Sequence, residues 1–307
     1  MGLSNTTILS IAELLGYMTL IPVTIYLGYR HGKHGFLGWF YLNAFCALRA
    51  AADIVQIIDR NQPTNQPSIA SAILSSLGLS PLILSASGFL HESHRYHLNA
   101  TMSKAKVRTS TRWLWFAQFQ IHGVSGAGMI FLIIGSVNLV SAKTTSEENH
   151  DDKLRSIGAV LIFLLWLGLC QYALWLHFQC RKNATRSQQH HTIITTTLIA
   201  LPFIGIRSIY SVVYTFDHKS TALNPVTGSF AVKLFLVVLV QLLAAIALIV
   251  GGYLARDIAD GWYSGLEAVN ADELAHDASS DSSYGGRGPK QVLLVNEDNG
   301  RERTNWA

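Results

Sequence analysis

The sequence predicts an all-α protein, an integral membrane bundle of seven transmembrane helices. Two observations lead to this fold class. Hydrophobic residues make up 50% of the 307 residues and charged residues only 14%, whereas soluble domains carry about 25% charged residues. The apolar residues also form continuous blocks of the length that a helix needs to cross a bilayer. Because the blocks lack the alternation of β-barrel strands, we predict helices for the spans.

The same composition excludes several other classes of protein. The apolar blocks rule out a disordered chain and a soluble nucleic-acid binder. The chain has only three cysteines, Cys46, Cys170 and Cys180, an odd number in or beside apolar blocks. They form neither a disulfide framework nor a spacing typical of metal ligands, so a secreted disulfide-rich scaffold is excluded as well.

Seven apolar blocks follow one another along the chain. The first carries Glu13 and lacks a basic start, so we interpret it as a span rather than as a cleavable signal peptide. Pro22, Pro81 and Pro202 predict kinks in helices 1, 3 and 6. The blocks are Ile8–Gly28, Phe36–Ile58, Ile69–Leu90, Trp113–Val140, Ile157–Phe178, Thr192–Phe216 and Phe230–Leu254.

The placement of Lys and Arg predicts the orientation of the bundle. These residues are more frequent in the loops that face the cytosol when the N-terminus is outside or lumenal and the C-terminus is cytosolic. Asn5 then lies in an outer N-glycosylation sequon, Asn-Thr-Thr, which predicts a glycoprotein. Residues 1–256 form the predicted membrane domain. Residues 257–307, rich in Asp, Ser, Gly and Asn, are predicted to be a disordered cytosolic tail.

Four ionisable residues lie toward the outer ends of the predicted spans, where such residues are costly and usually functional. Glu13 is in helix 1, Arg49 and Asp53 share one face of helix 2, and Arg207 is in helix 6. We therefore expect a polar pocket in the outer half of the bundle, among helices 1, 2 and 6. Its aromatic lining is expected from Tyr17, Tyr41, Tyr210 and Tyr214.

The partners of these charges remain open at this point. Arg49 and Asp53 can neutralise each other within helix 2, near a membrane end. Glu13 has no partner on its own helix, so either a group across the bundle satisfies it or it keeps its proton. A buried neutral carboxylic acid is a proton donor, which makes Glu13 a candidate catalytic residue. Arg207 is expected to clamp a carboxylate, either Glu13 or Asp53.

A histidine-rich segment, HESHRYH, follows the third block. The spacing of His91, His94 and His97 could hold a metal, with Glu92 as a base. Because the segment follows the cytosolic end of the predicted span, we interpret it as a wet interfacial loop and expect no metal site. The sequence has no Walker loop, Rossmann fingerprint or G-x-S-x-G elbow, so we expect no cofactor.

Several short stretches occur in a characteristic order across residues 30–229. They are Arg30-His31-Gly32 with Gly38-Trp39, Leu77-Gly78-Leu79-Ser80-Pro81-Leu82, Leu201-Pro202-Phe203 with Ile206-Arg207-Ser208-Ile209-Tyr210-Ser211, and Thr227-Gly228-Ser229. Together they resemble a largely uncharacterised fungal seven-transmembrane-helix family. That family in turn resembles, and is identified as including, membrane-bound terpene cyclases of meroterpenoid biosynthesis.

The resemblance implies a cofactor-independent cyclase, an isomerase of secondary metabolite biosynthesis in the endoplasmic reticulum. Such enzymes open a terminal epoxide on a farnesyl chain attached to an aromatic ring. The implied partners are a hydrophobic small-molecule substrate, the lipid bilayer and other membrane-bound pathway enzymes, with no nucleic acid. The resemblance identifies no catalytic residues. The chemistry requires an acid, for which we consider Glu13 and Asp53. Orienting groups (Arg49, Arg207) and aromatic faces that stabilise a carbocation (Tyr17, Tyr41, Tyr210, Tyr214) complete the expected site.

Two non-enzymatic functions remain as alternatives. Seven helices with a cytosolic, Ser-rich tail also suit a receptor, although that likeness is one of topology alone. The regions Leu79–Phe89 and Arg207–Tyr214 resemble fungal lipid exporters of the RTA type. This chain departs from the exporter pattern at Ser211 and Tyr214, because the exporters carry Arg and Glu at those positions. The chain also shows no inverted repeat of a transporter.

Overall fold

The computed structural model describes residues 5–60, 70, 73–74, 77–101, 104–141, 145–182, 188–216 and 229–255. Within these ranges the elements are helices and none is a strand, which confirms the predicted all-α class for this part of the chain. The predicted tail, residues 257–307, lies outside the described residues, and so does the side chain of Asn5.

The first two helices run from Asn5 to Arg60 and are separated by a kink at Gly32. Gly32 has φ 65° and ψ −161°, a backbone conformation that glycine adopts far more readily than other residues. We call the two parts α1 (Thr6–Gly32) and α2 (Gly35–Asp59). Side-chain hydrogen bonds join Asn43 to Thr24 and Gln56 to Ser10, so α1 and α2 form an antiparallel hairpin.

Five further helices complete the described bundle. The last of them contains a π-helical segment, Lys233–Leu239, in which each turn is wider than in an α-helix. The helices are α3 (Leu79–Thr101), α4 (Lys104–Ser141), α5 (Thr145–Lys182), α6 (Gln188–Phe216) and α7 (Phe230–Leu254).

Six of these helices, all except α3, are long and apolar enough to cross a membrane. Each of them contains one of the predicted apolar blocks. By helix length and composition, the protein is a multi-pass membrane protein. The remaining predicted block, Ile69–Leu90, begins in a stretch that is mostly outside the described residues.

Helix α3 lies at the centre of the bundle. It packs against the α1–α2 hairpin, α4, α5 and α6, and every residue from Gly78 to His94 is buried. The backbones of α2 and α3 approach closely, since a Cβ atom on Gly88 would lie 2.6 Å from the Gly38 backbone. Large apolar side chains on the other helices point outward instead, for example Leu15, Phe119 and Leu164.

The interpretation of His91–His97 as an interfacial loop is wrong. Helix α3 continues through this segment to Thr101, and Glu92 is only 1% exposed. The physical reason is that neighbouring helices supply hydrogen-bond partners for the polar side chains. His94 Nδ1 lies 2.7 Å from the Tyr172 hydroxyl of α5, and Glu92 contacts His31 of α1.

Candidate functional site

A cluster of buried polar side chains lies between α1, α2, α6 and α7. We call it the polar centre. Each of its members is at most 5% exposed to solvent, so their charges and hydrogen bonds must be satisfied inside the protein. The members are Ser10, Glu13, Tyr17, Arg49, Asp53, Gln56, Arg207, Tyr210 and Lys233.

An ion pair between α1 and α2 anchors the polar centre. Arg49 Nη2 donates a hydrogen bond to Glu13 Oε1, and both side chains are 1% exposed. The guanidinium of Arg49 also lies 5.9 Å from the centre of the Tyr17 ring. The partner that Glu13 needs is therefore Arg49, across the hairpin.

Asp53 is the second carboxyl group of the polar centre. Both of its carboxyl oxygens are buried and accept no hydrogen bond from a donor group among the described residues, but the carboxyl group lies within hydrogen-bond reach of the Glu13 carboxyl group. The charged groups that act on it are Glu13, Arg49 and Lys233. Two acidic side chains therefore share this site: Glu13 is paired with Arg49, and Asp53 lies against Glu13 without an ion pair of its own among the described residues.

Helix α6 closes one side of the polar centre. Arg207 donates from Nη1 to Ser211 Oγ at 2.8 Å, and its guanidinium lies 5.1 Å from the centre of the Tyr210 ring. Arg207 is also close enough to be attracted by the charge of Glu13 and repelled by that of Arg49. The structure thus brings Arg207 and Tyr210 together with the carboxyl groups that the sequence singled out.

The other two predicted tyrosines have different neighbours. The Tyr214 ring stacks with that of Tyr210 at 6.4 Å, but it also lies under the guanidinium of Arg155 from α5. The ring of Tyr41 contacts Phe40 and, at 5.1 Å, His122 of α4. Tyr214 therefore extends the site toward α5, and Tyr41 lies at the boundary between α2 and α4.

Sequence reasoning missed Lys233. This residue is 3% exposed and opens the π-helical segment of α7. Its Nζ atom donates to Gln56 Oε1 at 2.5 Å and to Ser10 Oγ at 3.3 Å. A signal for it was present in the sequence, because Lys233 lies inside the predicted span Phe230–Leu254.

A second buried polar group joins α1, α3 and α7. His31 Nδ1 lies 3.1 Å from Glu92 Oε1, and His31 Nε2 lies 2.9 Å from the Gly252 carbonyl oxygen. A carbonyl oxygen only accepts hydrogen bonds, so Nε2 carries a proton and the Nδ1–Glu92 contact shares another. Within the described ranges, no three His, Cys, Asp or Glu side chains are placed to hold a metal ion.

An apolar groove of about 780 Å³ lies between α1 and α2, at the kinked end of the hairpin. Two of its polar side chains bond to each other, since Asn43 Nδ2 donates to Thr24 Oγ1 at 3.0 Å. Glu13 and Gly28 are separated by 15 residues of α1, about 22 Å along a helix. The groove and the polar centre are therefore separate features. The groove is lined by Thr24, Ile25, Gly28, Tyr29, Gly32, Phe36, Trp39, Phe40 and Asn43.

A family model described as "Domain of unknown function (DUF7702)" matches residues 3–258, a range that contains every helix described above. No curated protein and no solved structure matches the chain. Since the family model covers well over half of the sequence, the chain belongs to the DUF7702 family.

Proposed function

We propose that the protein is a membrane-embedded terpene cyclase, which opens an epoxide on a farnesyl–aromatic intermediate of fungal meroterpenoid biosynthesis. The observation that carries this proposal is the Asp53 carboxyl group, which is buried in the polar centre next to the Glu13 carboxyl group and accepts no hydrogen bond from a donor group among the described residues. A carboxylic acid kept away from water is the group that such a reaction needs to protonate the epoxide oxygen. The sequence resemblance to meroterpenoid cyclases supports the same chemistry.

The two carboxyl groups have different roles in this mechanism. Glu13 is ion-paired with Arg49 and serves as the ionised partner. Asp53 lies beside that negative charge and is the proton donor. Two neighbouring carboxyl groups repel each other when both are ionised, so one of them keeps its proton. The Asp53 proton moves to the epoxide oxygen, the carbon–oxygen bond breaks, and a carbocation forms on the chain. Attack by an alkene or by the substrate's own oxygen closes a ring.

Aromatic rings next to Asp53 and Glu13 stabilise the carbocation. Tyr17 packs edge-on against Phe45 with ring centres 5.5 Å apart, and Tyr210 lies on the α6 side. Ring faces attract cations, by about 2 kcal/mol or more where water is excluded. The final proton returns to the Asp53 carboxylate, so the product is an isomer of the substrate and no cofactor is consumed.

We also propose that α3 is the seventh span, with the N-terminus lumenal, the C-terminus cytosolic and the protein in the endoplasmic reticulum. Its 23 residues correspond to about 34 Å of helix, enough for a hydrocarbon core of about 30 Å. An odd number of spans puts the two termini on opposite sides. The distribution of Lys and Arg supports this orientation.

The experiment that tests the function uses yeast microsomes containing the full chain and an epoxyfarnesyl–aromatic substrate. Chromatography with mass spectrometry should show a product of unchanged mass that empty-vector microsomes do not form. Asp53→Asn should lower the turnover by about 100-fold or more, as expected for loss of a general acid. Glu92→Gln is the matched control, because it changes a buried carboxyl group outside the polar centre.

Two results would contradict the proposal. One is full turnover in both Asp53→Asn and Glu13→Gln. The other is the absence of any isomer across several aromatic substrates with folded wild-type protein, which would favour a receptor or a transporter.

A further inference from the structure

We infer that Lys233 is a positioning residue of the polar centre, which docks α7 onto the α1–α2 hairpin and stabilises the Asp53 carboxylate once its proton has left. This inference deepens the proposed function and rests on it for the role of Asp53. It concerns a residue to which the sequence assigned no role.

The contacts of Lys233 place its ammonium group between three helices. Nζ donates to Gln56 of α2 at 2.5 Å and to Ser10 of α1 at 3.3 Å, and Ser10 Oγ lies 3.5 Å from Gln56 Oε1. Residues three apart lie on the same face of a helix. The hydrogen bond to Gln56 therefore holds the Lys233 ammonium group about one helical turn away from Asp53. Lys233 acts electrostatically on Asp53 from this position.

The backbone of α7 changes form at Lys233. The residue closes a short α-helical turn through a 3.1 Å hydrogen bond from its backbone nitrogen to the Ser229 carbonyl oxygen, and it opens the π-helical segment. A π-helical turn holds more residues than an α-helical one, so the positions before it are rotated relative to those after it. This geometry lets Lys233 face the hairpin while Gln241 and Ala244, further along α7, stay buried in the bundle.

Burying the charged side chain of Lys233 inside the bundle has a free-energy cost, so the need to fill space does not explain why a lysine occupies this position. Placing an ammonium group inside a membrane bundle is costly, and an apolar side chain of similar length fills the same volume at a lower cost. A functional reason for keeping the cation here is that it stabilises negative charge that develops during the reaction. When Asp53 gives its proton to the epoxide oxygen, that charge appears on its carboxylate, beside Lys233.

The test compares three variants of the full chain in lipid nanodiscs. Lys233→Met removes the charge, Lys233→Arg keeps it, and Lys153→Met is the matched control because Lys153 is exposed on α5. Infrared spectroscopy measures the carboxyl bands of Asp53, assigned by the difference from Asp53→Asn. We expect Lys233→Met to shift these bands, Lys233→Arg to restore most of the shift, and Lys153→Met to leave them unchanged.

Turnover provides the second measurement. We expect kcat to fall by about 100-fold in Lys233→Met, as for loss of a group that stabilises charge in the transition state, with KM within about twofold. Unchanged Asp53 bands and kcat in a folded Lys233→Met protein would overturn the inference. If that variant does not fold, Gln56→Leu removes the acceptor and should also shift the bands. If Lys233→Met shifts the Asp53 bands but the wild-type protein shows no isomerase activity, the link between Lys233 and Asp53 stands. In that case only the proposed function is rejected.

Discussion

Removing one partner of the Glu13–Arg49 ion pair should destabilise the bundle far more than removing both. The pair joins α1 to α2, and each side chain is 1% exposed. Arg49→Met fills a similar volume but leaves the Glu13 carboxylate buried without its partner. Glu13→Met should be milder than Arg49→Met, because Asp53 lies one turn along α2 and can then pair with Arg49.

The size of the effect follows from the burial of the pair. Removing one partner of a buried ion pair costs about 3–5 kcal/mol, whereas replacing both partners by apolar side chains is often neutral or stabilising. For a domain of about 250 residues, 1 kcal/mol shifts Tm by about 2–4 °C. Arg49→Met should therefore lower Tm by about 6–20 °C, and the double variant Glu13→Met/Arg49→Met should recover most of that loss.

The assay uses the protein's own cysteines. Cys46 is fully buried and Cys180 is 4% exposed, so a thiol-reactive fluorophore reports thermal unfolding in detergent. Arg181→Met, at the exposed end of α5, serves as the control and should keep the wild-type Tm. The reasoning is refuted if Arg49→Met unfolds within about 4 °C of the wild type, or if the double variant is as unstable as Arg49→Met.

Two further predictions concern packing and topology. A Cβ atom at Gly252 would overlap the indole ring of Trp39, whereas Gly168 faces open space. Gly252→Val should therefore cost about 1–3 kcal/mol of stability through overpacking, and Gly168→Val should leave Tm close to the wild-type value; equal Tm values would contradict the close packing of α2 against α7. If the N-terminus is lumenal, deglycosylation of yeast-expressed protein should increase its gel mobility, and Asn5→Gln should abolish that change. The chain also has the sequon Asn99-Ala100-Thr101 on the predicted cytosolic side, and a glycan on Asn99 would contradict the proposed topology.

The number and position of most helices could be predicted from the sequence because a bilayer imposes a local requirement. A segment that crosses it must be apolar over about 20 residues, and this property needs no knowledge of the neighbours. Six predicted blocks therefore lie inside six observed helices. Helix α3 shows the limit of this reasoning, since its polar second half lies against Tyr172 and His31 of other helices.

The polar centre was partly predictable for a related reason. An ionisable residue inside a span needs a partner or a function, so Glu13, Arg49, Asp53 and Arg207 could be singled out without a structure. Their position near one end of the predicted spans also indicated that they could meet. The role of Lys233 could not be predicted in this way, because its contacts depend on a π-helical segment and on residues far away in the chain.

The sequence by itself determined that this chain folds as apolar helices and that some of its buried charges must be matched, since both follow from the cost of placing polar groups in hydrocarbon. Only the tertiary structure decided which groups match. Arg49 of α2 can reach Asp53 on its own helix or Glu13 on α1, and the antiparallel packing of α1 and α2 selects Glu13. Asp53 is thereby left beside the Glu13 carboxyl group instead of paired with Arg49, because the choice of partner depends on distances between helices that local sequence does not encode.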